Sequence, residues 1–357
     1  MKCSLDRSDA APPRHDSVPY GHQQHADGQD LSSGTANCDV PSATRSSRDQ
    51  QGVAPISGIW MSIRPSNPAR SRMSSVVQRH PLACFFVLTY VAAWCLWAPL
   101  LILRDTLPPA VAFILVLLGS LVPSTIAIVL VAILHGNRGV RSLLGRLVKW
   151  RVGFRWYAVL LILPLLAPLG LGVSILLGGR APTVDSSVIA VLVGFVFSIF
   201  PGSALGEELG WRGFALPHLQ DGHSAVAAAL ILGPLWGCYH LPLWLTGNES
   251  HPIILFPAFV LSAIALSVLL AWIYNSTAGS LLLVVLFHAT ANLPVTFLIA
   301  PLGIDMIQPF LIFTALLIIA AAAVVGFAGT ADLSRTQRKQ TSEDIPTAPV
   351  AARSCTT

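Results

Sequence analysis

Long apolar runs constrain this chain more than any other feature. Eight of them cover roughly residues 82–103, 109–134, 156–178, 187–206, 224–246, 252–274, 279–301 and 307–328. A helix of about 20 apolar residues crosses the hydrocarbon core of a bilayer. The runs are continuously apolar and do not alternate, so they are not barrel strands, and helices are the other structure that satisfies its own backbone in lipid. Charge agrees with this. Only 11% of the 357 residues are charged, against about 25% in soluble domains. The expected fold is an all-α polytopic membrane bundle of about eight transmembrane helices.

The connections between runs set the orientation. Arg64, Arg70, Arg72 and Arg79 precede the first run. Arg138, Arg141, Arg146, Lys149, Arg151 and Arg155 separate the second from the third, and Arg335, Arg338 and Lys339 follow the eighth. The alternate connections carry Arg104 with Asp105, Arg180 with Asp185, Glu249 and Asp305, and are close to neutral. Basic loops stay in the cytoplasm, so both termini are expected there, as an even number of spans requires. The basic stretch 138–155 reads as a solvated loop or as an amphipathic helix on anionic lipid. The net charge of +5 is accounted for by these loops and does not point to nucleic acid. The expected partners are membrane lipids and a membrane-associated substrate.

Residues 1–78 are polar and rich in Ser, Asp, Arg, His, Gln and Pro. Such a segment buries too little apolar surface to offset chain entropy and is expected to be disordered. It has no apolar stretch of the kind a signal peptide needs, and Met61 and Met73 are alternative starts. A membrane domain is expected over 79–330 and a disordered cytoplasmic tail over 331–357. The cysteines Cys3, Cys38, Cys84, Cys95, Cys238 and Cys355 show neither a disulfide framework nor zinc-ribbon spacing.

Ionisable groups inside apolar runs are costly, about 2.5–3.5 kcal/mol each on insertion scales, and mark function by default. They gather at a few places: Glu207, Glu208 and Arg212; Trp236 with His240; and His288 with Asn292. Each of the pairs Glu208/Arg212, Trp236/His240 and His288/Asn292 is four residues apart and shares a helix face. Taken one at a time, the groups have structural readings as an ion pair, a backbone-bonded histidine or interhelical glue. Together they supply what hydrolysis by water needs: a carboxylate base, imidazoles, and donors for an oxyanion. A zinc ion held by Glu207, His240 and His288 would serve instead by acidifying the water, and the residues leave both routes open. HExxH and a serine nucleophile elbow are absent from the sequence. Trp211, Trp236 and Trp244 are expected to be packing or interface anchors. The stretch GSLVPS at 119–124 is expected to give close helix packing and a kink.

The motifs EELGWR (207–212), WGCYH (236–240) and HATAN (288–292) resemble the EExxxR, FxxxH and HxxxN motifs of the CPBP family of intramembrane proteases, with Trp236 where phenylalanine is usual. The resemblance spans about residues 80–330. It implies water activated by Glu207 with His240, an oxyanion held by His288 and Asn292, or a metal on His288. Glu208, Arg212 and Trp236 would be supporting residues. It also implies a bacterial cytoplasmic-membrane protein that hydrolyses a membrane-associated peptide or protein, with a site open to the cytoplasm. Members are commonly called metalloproteases, and some are linked to bacteriocin immunity. The rival readings are a non-catalytic immunity or scaffold protein and a proton-coupled transporter, though no internal repeat supports the latter.

Helix rise adds a requirement. Glu207 and His240 share a depth only if the fourth helix runs past Glu207 to about Leu219. Residues 221–231 would then be a cytoplasmic connector or surface helix, and the fifth span would begin near Gly233-Pro234.

Overall fold

A computed structural model describes residues 75–103, 105–179, 188–199, 203–246, 252–293 and 307–345. The tail before residue 75 and the last twelve residues lie outside them. The described residues form helices and turns, with no strand among them. The elements are α1 (Pro81–Ile102), α2 (Pro109–Gly145), α3 (Arg155–Leu176), α4 (Val188–Ile199), α5 (Ser203–Gly210), α6 (Leu216–Gln220), α7 (Ala225–Tyr239), α8 (Leu241–Leu245), α9 (Phe256–Ser276), α10 (Leu281–Leu293) and α11 (Ile307–Ala328).

Six helical stretches are long and apolar enough to cross a membrane: Pro81–Ile102, Pro109–Val148, Arg155–Leu176, Ala225–Leu245, Ile253–Ser276 and Ile307–Ala328. Of the eight expected spans, 187–206 and 279–301 fall on the shorter helices α4 and α10. Local chemistry sets several helix starts. Proline opens α1 and α2, where its missing N–H costs nothing. The Ser224 side chain caps α7 by accepting from Ala227 N at 3.2 Å. α2 is longer than the expected 109–134 because it continues past a break at Gly136, where φ is 63°. Glycine adopts that left-handed backbone without a Cβ clash, and the stretch 137–145 turns back toward the core, burying Leu143 at 2% exposure. The kink expected at 119–124 therefore lies further along.

The element carrying the acidic motif is one helix with a changed pitch. α5 passes into a π-helical turn over Trp211–Ala215 and then into α6. Every residue from Leu209 to Leu216 is buried. Its placement against α2 rests on two glycines: a Cβ on Gly206 would lie 2.5 Å from Ser120 O, and one on Gly210 would lie 2.6 Å from Pro123 O. Ser124 Oγ donates to Leu205 O at 2.9 Å in the same seam. Small residues at this spacing allow the backbones of membrane helices to touch, and the GSLVPS stretch supplies the other half of the contact.

One connector expectation is corrected. Residues 221–231 do not form a separate connector or surface helix. The chain turns over 221–224, and α7 then runs unbroken from Ala225 through Gly233-Pro234 to Tyr239. Helix α5–α6 does extend to Gln220, so α5–α6 and α7 make a tight antiparallel hairpin. Counting outward from its turn brings Glu207 level with Trp236 and His240 without any connector.

The C-terminal expectation is corrected too. Residues 331–345, placed in a disordered tail by composition, pack against one end of the bundle. Leu333 and Ile345 are buried there. Asn275 donates to Gln220 Oε1 at 2.7 Å and to Asp332 O at 2.8 Å, and Gln220 donates to Gln340 O at 2.7 Å. A short 3-10 turn, Ser342–Asp344, carries its own capping box with Thr341. The local sequence is polar, but its backbone and amide groups are partnered by buried amides that the expectation did not foresee.

Candidate active site

The hairpin, α9 and α10 bring the three motifs into one cluster. Glu207 and Glu208 are buried to 1% and 0% exposure, Arg212 to 0% and His288 to 3%. These are the costliest groups to place in an apolar bundle, and each has a named partner in the cluster.

Glu207 is held on one side and open on the other. Its Oε2 accepts from Trp236 Nε1 at 2.6 Å and from Trp211 Nε1 at 3.3 Å. Its Oε1 is buried with no hydrogen-bond partner and faces His240 Nε2 at 3.7 Å. His240 Nδ1 lies 2.9 Å from Trp236 O. A carbonyl only accepts, so that bond places the proton on Nδ1 and leaves the Nε2 lone pair toward Glu207. A polar separation of this length between two acceptors fits a bridging water.

Glu208 serves a different group. Its Oε1 accepts from Arg212 Nη1 at 2.8 Å and from His288 Nδ1 at 2.6 Å. The Arg212 guanidinium also lies 4.3 Å from the centroid of the Trp236 ring, a cation–π contact. Trp236 in turn meets His288 edge to face, with centroids 5.2 Å apart. Asn292 is half-buried one turn beyond His288 on α10. All seven residues singled out in the sequence thus lie on the elements that build this cluster, and contacts join Glu207, Glu208, Arg212, Trp236, His240 and His288.

Two of the indoles do more than anchor. Trp211 and Trp236 pack, as anchors do, but their N–H groups also fix the Glu207 carboxylate. Trp211 stands four residues after Glu207, the same-face spacing that was used for Glu208 and Arg212, so its role was readable from that signal. Trp244 does pack as an anchor, against Leu255, Ala258 and Phe310.

Glu207 Oε1, His240 Nε2 and His288 Nε2 are the atoms through which these three residues would hold a zinc ion, since both Nδ1 atoms are engaged elsewhere. Among the described residues, no group of three His, Cys, Asp or Glu side chains is arranged to hold a metal ion. His288 Nδ1 is engaged by Glu208, and Glu207 Oε2 by two indoles. No step below runs through a metal.

Known proteins meet the chain at this cluster. The family model for Rce1-like type II CAAX prenyl endopeptidases matches residues 188–294, the stretch that holds every motif above. Over that stretch the chain is similar to the type II CAAX prenyl endopeptidases, in line with the resemblance to the CPBP family. A curated relative, CAAX prenyl protease 2 of Methanococcus maripaludis, is 26% identical over 258 residues, which are 68% of this chain and 92% of the relative. The alignment with this relative is longer than the stretch that carries the motifs. Its six long apolar helices are those of an integral membrane protein, and the similarity is to intramembrane endopeptidases.

Proposed function

We propose that this protein hydrolyses a peptide bond of a membrane-associated peptide or protein, using water activated between Glu207 and His240. The observation that carries the reading is the unpartnered Glu207 Oε1 facing His240 Nε2 at 3.7 Å. A water there donates one hydrogen to each acceptor and keeps its lone pairs for the scissile carbonyl carbon. Attack forms the C–O bond as a proton passes to Glu207 Oε1. Collapse of the tetrahedral intermediate then breaks the C–N bond, and the same carboxyl returns its proton to the leaving amine.

The oxyanion needs donors, and His288 and Asn292 are the candidates. His288 Nδ1 is on Glu208, so this residue donates to an oxyanion through Nε2 only when that nitrogen also carries a hydrogen. Glu208 and Arg212 then act by holding His288 in place. The archaeal relative is named for prenylated CAAX substrates; for this chain the reading extends to a membrane-associated peptide and not to a particular lipid.

Quantitative proteomics of membrane peptides, comparing wild type with Glu207→Gln, tests the proposal. Peptides that accumulate uncleaved in the variant support it. A variant that folds and leaves every cleavage product unchanged sinks it and favours the scaffold reading. A transporter would instead show Glu207-dependent proton flux with no change in peptides.

A further inference from the structure

His240 stands at a break in its helix. α7 ends at Tyr239, and His240 itself has φ −81° and ψ −2°, where a regular helix holds ψ near about −42°. Leu243 N bonds back three residues to His240 O at 3.0 Å, and His240 N bonds to Gly237 O at 3.1 Å, as in a 3-10 turn. Pro242, in the first turn of α8, brings no N–H to the carbonyl four residues before it. A helix end leaves carbonyls in need of donors. Inside an apolar bundle those donors come from a neighbouring helix.

Helix α1 supplies them. Trp94 Nε1 donates to Tyr239 O at 2.9 Å, and the Tyr90 hydroxyl donates to Leu235 O. Tyr90 and Trp94 are one turn apart on α1, and the two carbonyls they meet are one turn apart on α7. The backbone that carries His240 is therefore pinned from outside its own helix.

The imidazole ring is held by the same helix. Its Nδ1 bond to Trp236 O, at 2.9 Å, fixes one atom but not the tilt of the ring about that atom. Trp97, three residues after Trp94 on α1, lies close to parallel with the imidazole, at 28° with centroids 6.4 Å apart. Phe259 and Tyr239 meet it edge to face, at 5.4 Å and 5.0 Å. Trp97 is fully buried, and its seat is cut into α2. Its Nε1 donates to Val116 O at 3.4 Å. A Cβ on Gly119 would lie 2.1 Å from Trp97 Nε1 and 2.3 Å from Cε2, so any larger residue there displaces the indole. Gly119 O also accepts from the Tyr239 hydroxyl at 2.6 Å. One glycine thus receives the indole that stacks on His240 and the tyrosine that precedes it.

We propose that Trp94, Trp97 and Gly119 are positioning residues for His240: α1, seated on α2 at Gly119, holds both the helix break and the ring plane that aim Nε2 at Glu207 Oε1. The proposal deepens the peptidase reading above and rests on it. Under that reading one water touches Glu207 Oε1 and His240 Nε2 across a gap of 3.7 Å. A displacement of about 1 Å at such a site costs about a hundredfold in rate. The motif segments carry the reacting groups, and the first two helices, which carry no motif, fix the angle of one of them.

Histidine NMR and kinetics on the full chain in detergent test this together. The protein is labelled with nitrogen-15 histidine, and the His240 ring signals are assigned by their loss in His240→Gln. Trp94→Phe keeps a ring and removes the donor. Trp97→Leu removes the stacked ring, and Trp97→Phe keeps one. In Trp94→Phe and Trp97→Leu the His240 signals should shift or broaden while those of His218 hold. Their kcat should fall about ten- to a hundredfold with KM little changed. Trp97→Phe should keep most of the wild-type kcat. Gly119→Ala should lose kcat, and adding Trp97→Phe to it, which takes the indole away from the new Cβ, should recover part of the loss. Simple destabilisation does not give that rescue. Unchanged His240 signals in Trp94→Phe overturn the proposal, and that variant decides if Trp97→Leu does not fold. A rise in KM with kcat kept also overturns it, because the indoles would then belong to the substrate site. If the His240 signals move as expected while Glu207→Gln still cleaves, the peptidase reading fails and the hold on the imidazole stands.

Discussion

Trp236 Nε1 donates to Glu207 Oε2 at 2.6 Å across the hairpin that joins the acidic and histidine motifs. The bond ties the two helices together and turns the free oxygen, Oε1, toward His240. Trp236→Phe keeps the ring over Arg212 and His288 but removes the donor. A hydrogen bond to a charged group is worth about 1.5–3 kcal/mol, and about 1.4 kcal/mol is tenfold in rate. The expected result is a fall in kcat of about tenfold or more with KM little changed and the thermal midpoint nearly kept. Steady-state kinetics on a substrate from the proteomic comparison would check it. A rise in KM alone would mean that the indole only shapes the binding site.

Among the described residues, Arg212 is the only guanidinium that touches Glu208, and both are at 0% side-chain exposure. Arg212→Leu leaves Glu208 charged among apolar groups with His288 as its remaining partner. Removing one member of a buried pair costs about 3–5 kcal/mol. Loss of folded protein in detergent, read by thermal unfolding, is the expected outcome. The double variant Glu208→Gln with Arg212→Leu should recover stability but not activity, because His288 then lacks the carboxylate that positions it. Full activity in the double variant would remove His288 positioning from the mechanism.

Gly206 sets how closely the acidic helix approaches α2. An added Cβ would be 2.5 Å from Ser120 O, a backbone atom that cannot swing aside. Overpacking costs about 1–3 kcal/mol, and the helix must shift, carrying Glu207 with it. Gly206→Ala should therefore lose both stability and activity. Gly172→Ala is the control, because nothing lies within 4 Å of its added Cβ. A fully active Gly206→Ala would show that the site tolerates displacement of the carboxylate.

Much of this was legible because insertion costs are large. Uncharged runs longer than a bilayer is thick have one stable outcome, and buried Glu207, Glu208, Arg212 and His288 stood out against them. Same-face spacing gave the Glu208–Arg212 pair directly. What stayed hidden depended on contacts between distant segments or on changes in helical pitch. The π turn at 211–215 has no compositional mark. The break in α2 hinges on Gly136, one glycine among many. Asn275 reads as an ordinary polar residue until Gln220, Asp332 and Gln340 are seen around it, and without them the C-terminal segment looks unstructured.

Metal dependence separates the two routes that the sequence left open. In the proposed mechanism the water is bound by Glu207 Oε1 and His240 Nε2, and His288 Nδ1 is committed to Glu208. Protein dialysed against a strong chelator should retain its cleavage rate, and elemental analysis of the active sample should show less than one equivalent of zinc. Loss of activity on chelation, restored by adding zinc, would overturn the metal-free water-binding arrangement.

The C-terminal segment offers a test in which stability and catalysis part company. Leu333 and Ile345 are at 0% and 2% exposure, and Gln340 O and Asp332 O accept from the Gln220 and Asn275 amides. Deleting residues 331–357 exposes that apolar surface and strips partners from buried amides. Each full apolar side chain is worth about 1.5–3 kcal/mol and each orphaned amide about 1–3 kcal/mol. A clear drop in thermal midpoint is expected. The proposed catalytic groups Glu207 and His240 lie about 22 Å along their helices from this end, so the fraction that stays folded should cleave at the wild-type kcat. Asn275→Leu keeps the chain length and should reproduce the effect in milder form. If truncation instead raised kcat with no loss of stability, the segment would be acting as a plug on the site.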